Sequence, residues 1–150
     1  MKHWATVAVL GGVLCACAPL SGNGTDTQAA APSAVNAAAV KRVWMLTELD
    51  GFQKAQLVAA KAEMNWTRLP HANAYMGCNR MMFQADVSSD GRVKFGAVAA
   101  TRMYCPDAIP LENAFGSLLP QMTRYRVEGH HLILEDGKGK TMRFVAQDWD

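Results

Sequence analysis

Residues 81–97, MMFQADVSSDGRVKFGA, have the pattern of two β-strands joined by a tight turn. Residues 81–87 are the expected first strand, and in residues 93–97 Val93, Phe95 and Ala97 alternate with Lys94 and Gly96, as in a strand with one buried face. The intervening Ser-Ser-Asp-Gly ends in Gly91, and glycine readily adopts the positive φ that a hairpin loop requires. This segment therefore predicts an antiparallel pair of strands.

Other short segments with strand-like composition or alternation lie on both sides of this hairpin. Before it they are Val43–Leu49 and residues 62–68 and 74–77; after it they are the pairs Tyr125 and Val127, Leu132 and Leu134, and Met142 and Phe144. Short strands with regular turn signals predict an antiparallel meander that curls toward a barrel. Residues 53–61 are ambiguous, because their Ala and Lys content also suits a short helix.

One clear helix is predicted between the two groups of strands. Its apolar residues share one helical face, at i, i+4, i+7 and i+8: Leu111, Phe115, Leu118 and Leu119. Asp107 is the expected N-cap and Pro120 should end the helix, with Glu112 on its polar side. The fold class that follows is α+β, a curved antiparallel sheet or partial barrel with one main helix packed on it.

The apolar faces of these elements define a predicted core. Its members are Trp44, Leu46, Phe95, Phe115, Leu118, Leu134 and Phe144. Methionines are usually core residues too, and we expect this of Met103, Met122 and Met142.

The N-terminal residues have the features of a bacterial lipoprotein signal. Lys2 gives a positive start, and residues 5–14 form an apolar stretch too short to span a bilayer. Leu14-Cys15-Ala16-Cys17 resembles the lipobox, which implies a signal peptide at residues 1–16 and lipidation of Cys17. A plain secretory signal cut near Ala18 is the alternative. Two or three acyl chains would hold the protein firmly on a membrane.

The chain after Cys17 divides into a tether and a domain. Residues 17–40 are rich in Ala, Ser, Thr, Asn and Gly and have no aromatic residue, which predicts a flexible tether. A helix that begins near Asn36 is the alternative. Residues 41–150 have the length of one domain. The lipoprotein resemblance also implies the outer membrane, because Ala18 stands where an aspartate would signal retention; the domain would face the periplasm or the cell surface.

Cys78 and Cys105 are the two cysteines of the expected domain. In an exported protein such a pair favours a disulfide, and a buried pair of free thiols is the alternative. A metal site is not indicated, because the two cysteines lack a clear set of histidine partners. His71 and the adjacent His130 and His131 are better interpreted as loop or hairpin residues.

No catalytic residues are indicated. The serines and threonines, Thr101 included, have no base at a recognisable motif spacing, and there is no phosphate-binding loop. The net charge of +2 is not gathered into a basic block, so no nucleic-acid partner is expected. Asn79 is the most distinctive polar residue. It follows Gly77-Cys78 and would cap backbone groups in a turn, with ligand contact as the alternative.

The motifs of the domain together resemble the META/HslJ domain. They occur in the order Trp44-x-Leu46, Gly77-Cys78-Asn79-Arg80, Thr101-x-Met103-x-Cys105, Glu112-x-x-Phe115 and Leu132-x-Leu134 with Gly139 and Phe144. The resemblance implies a curved antiparallel sheet with one main helix, envelope lipoproteins, a link to stress, drug tolerance and secretion, and no established enzymatic activity. Within the series we expect Gly77, Asn79, Thr101 and Met103 to have a structural role. The family often has a glycine where this chain has Phe83.

Two functions remain from the sequence. The first is a non-enzymatic, anchored module without cofactor that binds an envelope protein or peptide, or supports the envelope under stress. The second is a small-molecule or lipid-binding barrel, because curved sheets can enclose a ligand. An interior filled by Trp66, Phe95, Phe115 and Phe144 would favour the first, and an enclosed apolar cavity would favour the second.

Overall fold

The strands form one nine-stranded antiparallel sheet in the computed structural model, which describes residues 37–149. Their bounds are β1 Val43–Leu49, β2 Glu63–Asn65, β3 His71–Tyr75, β4 Arg80–Val87, β5 Val93–Phe95, β6 Ala99–Ala100, β7 Arg124–Glu128, β8 His131–Glu135 and β9 Thr141–Ala146. The hairpin in residues 81–97 is present as β4 and β5, with Ala85 opposite Phe95.

The sheet curls until its two outer strands meet. The strand order is β5-β4-β3-β2-β1-β9-β8-β7, and β6 is a further partner of β4. At the seam between β5 and β7, the Tyr125 N–H donates to the Gly91 carbonyl at 2.8 Å and the Val93 N–H donates to the Thr123 carbonyl at 3.0 Å. Burial of the Tyr125 phenol, together with the charge of Asp90, raises the pKa of Tyr125. The result is a nearly closed barrel, which confirms the predicted fold class.

Within residues 37–149, three helices accompany the barrel: α1 Ala37–Val40, α2 Lys54–Ala59 and α3 Ile109–Leu118, the last followed by a 3-10 turn at Leu119–Gln121. The ambiguous residues 53–61 are therefore mainly helical. The main helix is confirmed, but Asp107 is not its N-cap. Ala108 holds that position without a side-chain cap, and the Cys105 carbonyl accepts the N–H groups of Ala108 and Ile109 at 3.0 and 3.2 Å.

All seven residues of the predicted core are buried, so that prediction is confirmed. Alternation works in strands such as β4 and β5, which turn one face into the barrel and the other to solvent. Phe83, which stands where the META/HslJ family often has glycine, is also buried and packs edge-on against Phe95 with ring centroids 5.9 Å apart. The larger side chain therefore adds to the core.

The folded part begins before the boundary predicted at Lys41. Residues 37–40 form α1, Val40 is fully buried, and its carbonyl accepts the Trp44 indole N–H at 2.9 Å. Thus the end of the expected tether belongs to the domain. The signal peptide, Cys17 and the rest of the tether lie outside the described residues. Within residues 37–149, no helix is both long enough and apolar enough to cross a membrane.

Candidate functional site

The Gly77-Cys78-Asn79 turn joins β3 to β4 beneath the N-terminal end of α3. Gly77 has a φ of +112°, which side-chain-bearing residues rarely adopt. A Cβ added to Gly77 would lie 3.2 Å from the Ala108 Cβ and 3.4 Å from the Ala60 Cβ. The turn therefore needs glycine both for its backbone conformation and for its close approach to two other segments.

The side chain of Asn79 is buried and fixes the loop formed by residues 101–105, called the 101–105 loop below. Its Oδ1 accepts hydrogen bonds from Thr101 Oγ1 at 2.9 Å and from the Met103 N–H at 2.8 Å. Its Nδ2 donates to the Met103 carbonyl at 3.2 Å. The carboxamide thus pairs with both backbone groups of Met103, as a neighbouring strand would. The sequence predicted that Asn79 caps local backbone groups in its turn, whereas its partners in this loop lie 22 to 24 residues away along the chain.

Glu112 is the second buried polar residue, and the interpretation that it lies on the polar side of the helix is wrong. It is 7% exposed, its Oε1 accepts the Asn79 backbone N–H, and its Oε2 accepts Asn79 Nδ2 at 2.8 Å. Its place in the first turn of α3 is electrostatically favourable, because the helix dipole is positive there. The sequence does indicate that Glu112 is buried, because Glu112, Phe115 and Leu119 stand at i, i+3 and i+7 on one helical face.

The predicted disulfide between Cys78 and Cys105 is present, with the Cα atoms 6.2 Å apart. It joins the turn before β4 to the end of the 101–105 loop. At the other end, the Thr101 N–H donates to the Arg80 carbonyl at 3.0 Å, and the Arg80 N–H donates to Thr101 Oγ1 at 3.1 Å. The loop is therefore held at both ends and, through Asn79, in the middle.

This well-held loop presents two large apolar side chains to solvent. Tyr104 is 86% exposed and Met103 is 57% exposed. Both side chains are exposed although Asn79 holds the backbone of Met103 and the disulfide holds Cys105, the next residue after Tyr104. The expectation that Met103 is a core residue is wrong, because its backbone faces Asn79 and its side chain points outward. Met122 and Met142 are buried as expected. The sequence pattern does not distinguish the exposed Met103 from the buried Met122 and Met142. The difference arises from the tertiary pairing of the Met103 backbone with Asn79.

The other candidate residues are not brought together into a reactive site. His71 begins β3, His131 begins β8 and His130 lies in the turn before it, so the hairpin interpretation of the last two is supported. Asp107 is exposed whereas Glu112 is bonded to Asn79. In the described part of the chain, no three His, Cys, Asp or Glu side chains are grouped to hold a metal ion.

Aromatic side chains fill the interior of the barrel. Trp66, Phe115 and Phe144 are fully buried and Phe95 is nearly so. The Trp66 ring lies 6.0 Å from that of Phe95 and, edge-on, 6.3 Å from that of Tyr125. All four aromatic residues that the sequence placed in a packed core are therefore buried. The Trp66 indole nitrogen is buried without a hydrogen-bond partner among the described residues.

The fold is thus a small, nearly closed antiparallel barrel with one packed helix. Its Gly-Cys-Asn turn is held by a buried cluster of polar side chains. The family model of the META domain matches residues 37–149, so the chain belongs to the META domain family. The match covers the whole region that the structure describes, α1 included.

Two solved structures are similar to this chain. The NMR structure of a protein from Burkholderia xenovorans is 26% identical, with a TM-score of 0.58, and the match covers 85% of this chain and 99% of that one. A second NMR structure, 20% identical with a TM-score of 0.53, matches over 72% of this chain and 91% of the other, and supports the fold alone. A search of curated proteins gave no match.

Proposed function

We propose that this META-domain protein is a lipid-anchored protein of the bacterial outer membrane whose domain binds an envelope protein or peptide without catalysing a reaction. The observation that carries the proposal is the 101–105 loop, which combines exposed apolar side chains with a fixed backbone. Single exposed apolar residues are common on protein surfaces and need no explanation. An exposed aromatic on a loop held by a disulfide and a buried asparagine is a more specific feature.

Rigidity matters because binding must offset the entropy of ordering the groups that make contact. The backbone of Met103 is already paired with Asn79, and the disulfide at Cys105 follows Tyr104 directly. Tyr104 would therefore lose little backbone freedom when a partner covers it. Tyrosine and methionine are both enriched in protein interfaces, because each offers a large contact area.

The chemistry of the buried cluster supports binding over catalysis. Both Glu112 oxygens accept hydrogen bonds from Asn79, and both polar atoms of the Asn79 side chain are also bonded to the 101–105 loop. These groups are thus occupied in holding the fold together. Burial of Trp66, Phe115 and Phe144 inside the barrel supports the binding module over a barrel that holds a small molecule or lipid.

Position in the envelope is the second part of the proposal. Leu14-Cys15-Ala16-Cys17 supports lipidation of Cys17, and Ala18 supports transport to the outer membrane. The lipid would be the membrane contact, with the domain in the periplasm or on the cell surface. A role in envelope stress would follow from holding a partner at this membrane.

Site-specific photo-crosslinking tests the binding role. A photoreactive amino acid at Tyr104, in the full-length protein in cells, should give one dominant crosslinked species. The matched control is the same group at Val58, which is 62% exposed on α2. The crosslink should weaken when Asn79 is replaced by alanine. Equal crosslinking from both positions would contradict a specific binding surface at the 101–105 loop.

Replacement of the lipidated cysteine tests the anchor. Cys17→Ala should leave an uncleaved or soluble precursor, because the thiol that takes the diacylglycerol is absent. The measurement is processing on a gel together with membrane retention after a carbonate wash. A variant that is still cleaved and still retained would overturn the anchor, and the Cys15→Ala variant controls for loss of a cysteine as such.

A further inference from the structure

The short strand β6 has a partner on one side only. It pairs with β4, where Met81 lies opposite Ala100 and Met82 opposite Ala99. Among the described residues no other strand pairs with β6. Ala99 and Ala100 are both exposed, so neither side chain is covered by another element. The side of β6 that faces away from β4 is an open sheet edge, called the β6 edge below.

The pairing register directs backbone groups of β6 outward. The Thr101 N–H donates to the Arg80 carbonyl at 3.0 Å, so Thr101 is a hydrogen-bonded position opposite β4. Hydrogen-bonded and non-hydrogen-bonded positions alternate along an antiparallel pair. Ala99 therefore points its N–H and carbonyl toward β4, and Ala100 points both of these groups away from it. An added strand would find a donor and an acceptor at Ala100.

The β6 edge is only two residues long, and it has none of the chemical features that usually block an exposed edge. Natural sheet edges are blocked by charged residues, proline or a covering element. Residues 97–101, AVAAT, contain neither charge nor proline, and the two alanines leave room beside the backbone. Met103 and Tyr104 follow at one end, both exposed. A strand docked here would thus also contact the 101–105 loop.

The charges beside the β6 edge are positive. Arg80 lies opposite Thr101 in the pairing with β4, and Arg102 follows Thr101 in the chain; both are exposed. Neither forms an ion pair with another residue of the described region. Glu112, the one acidic residue of α3, is buried and bonded to Asn79, and the exposed Asp107 lies two residues beyond the 101–105 loop. The edge is therefore complementary to negative side chains.

We infer that the β6 edge binds an extended acidic peptide of a partner protein, which adds a strand to the sheet. This inference rests on the proposed binding function and names the chemistry of its partner. Main-chain hydrogen bonds to Ala100 supply the pairing. Acidic side chains of the peptide lie near Arg80 and Arg102, and an apolar side chain contacts Met103 or Tyr104.

Defined peptides test the inference by NMR of the isotope-labelled full chain in detergent micelles. The probe is a capped heptapeptide that alternates valine and aspartate. It should shift the amide resonances of residues 99–101 and protect the Ala100 N–H from hydrogen exchange. The counterpart with lysine in place of aspartate, and the aspartate peptide with N-methylated backbone amides, should bind at least about tenfold more weakly, since each lacks one of the two interactions. Equal binding of either one would overturn the inference.

Variants of the protein separate pairing from charge. Ala100→Pro removes the outward N–H and leaves the Ala99 pairing with β4 in place, so peptide binding should be lost. Arg102→Glu should weaken binding about fivefold through loss of attraction and gain of repulsion. Lys94→Glu, with the same charge change on β5, is the matched control and should leave binding unchanged. If Ala100→Pro does not fold, peptide binding by Arg102→Glu and by Lys94→Glu is compared instead. Equal binding by these two variants would contradict the inference.

The possible failures have different signatures. If the chain forms dimers through residues 99–101 without peptide, the occupant is a second copy and the inference is wrong. If the peptides leave residues 99–101 unshifted while crosslinking from Tyr104 remains specific, the β6 edge is wrong and the proposed function stands. If the peptide binds as expected but crosslinking from Tyr104 is no stronger than from Val58, peptide pairing stands and the 101–105 loop is not the main contact.

Discussion

Replacing Asn79 by alanine should destabilise the domain more than the loss of one small side chain suggests. The truncation removes both bonds to the Met103 backbone, the bond from Thr101 Oγ1 and the bond to Glu112 Oε2. It leaves the Asn79 backbone N–H bonded to Glu112 Oε1. The buried carboxylate therefore keeps one partner and loses another.

The expected cost follows from which groups water can reach. Met103 and Thr101 are exposed, so water replaces part of what they lose. The Glu112 carboxylate is 7% exposed, and a lost hydrogen bond to such a charged group costs about 1.5–3 kcal/mol. With the smaller contributions from the loop, the total is about 3–4 kcal/mol. A domain of this size still folds after such a loss, since stabilities of about 5–15 kcal/mol are usual.

Urea unfolding followed by tryptophan fluorescence measures this cost. With a slope of about 1.5 kcal/mol per M, the midpoint should fall by about 2 M. Hydrogen exchange of the Met103 amide should accelerate as well. Asn73→Ala is the matched control, because Asn73 is a half-buried asparagine on β3 without a side-chain hydrogen bond among the described residues. A midpoint for Asn79→Ala within 0.5 M or so of this control would refute the reasoning.

Three further changes test other parts of the structure by the same unfolding assay. Serine in place of both Cys78 and Cys105, which are 27 residues apart, should cost about 3.5 kcal/mol through the entropy of the unfolded chain. Gly77→Ala should cost about 1–3 kcal/mol, since alanine is strained at a φ of +112° and its Cβ would press on a neighbouring segment. Trp44→Phe should cost about 1–2 kcal/mol more than Trp66→Phe, because only the Trp44 indole donates a hydrogen bond.

Each of these changes has its own contradicting result. Alkylation of both thiols in the unreduced mature protein would show that the bond is absent. Gly129→Ala is the control for Gly77, because Gly129 has a φ of +60° with nothing near its missing Cβ. Equal losses at the two glycines would remove the argument from close approach. Equal losses for the two tryptophan variants would indicate that the Trp66 nitrogen has a partner such as water.

Local patterns predicted the strands and the helix because burial in this fold follows local periodicity. β-Forming residues predicted β1, and alternation predicted β5 and the C-terminal strands, where Val93, Phe95, Met142 and Phe144 face the barrel. The helix has one buried stripe, which Leu111, Phe115 and Leu118 mark. The pairing of Cys78 with Cys105 was predicted from their number and from the export that the N-terminal signal implies.

What the patterns did not predict depends on contacts between distant segments. Glu112 is buried because Asn79 offers it two donors, and no local rule connects residues 33 positions apart. Met103 is exposed because its backbone is the partner of that asparagine. The start of α3 is set by the Cys105 carbonyl rather than by Asp107, since the disulfide places that carbonyl beneath the helix.

The pairing of β1 with β9 has a consequence for protein engineering. Trp44 lies opposite Ala146, the Gln147 N–H donates to the Val43 carbonyl at 2.9 Å, and Arg42 and Asp148 form an ion pair at 3.5 Å. The two ends of the domain are thus neighbours on adjacent strands. A short glycine-serine linker from residue 149 back to residue 40, with new termini opened at the exposed Asp50-Gly51 turn, would give a circular permutant that keeps every strand pair. Formation of the barrel therefore does not depend on the order in which its strands are translated.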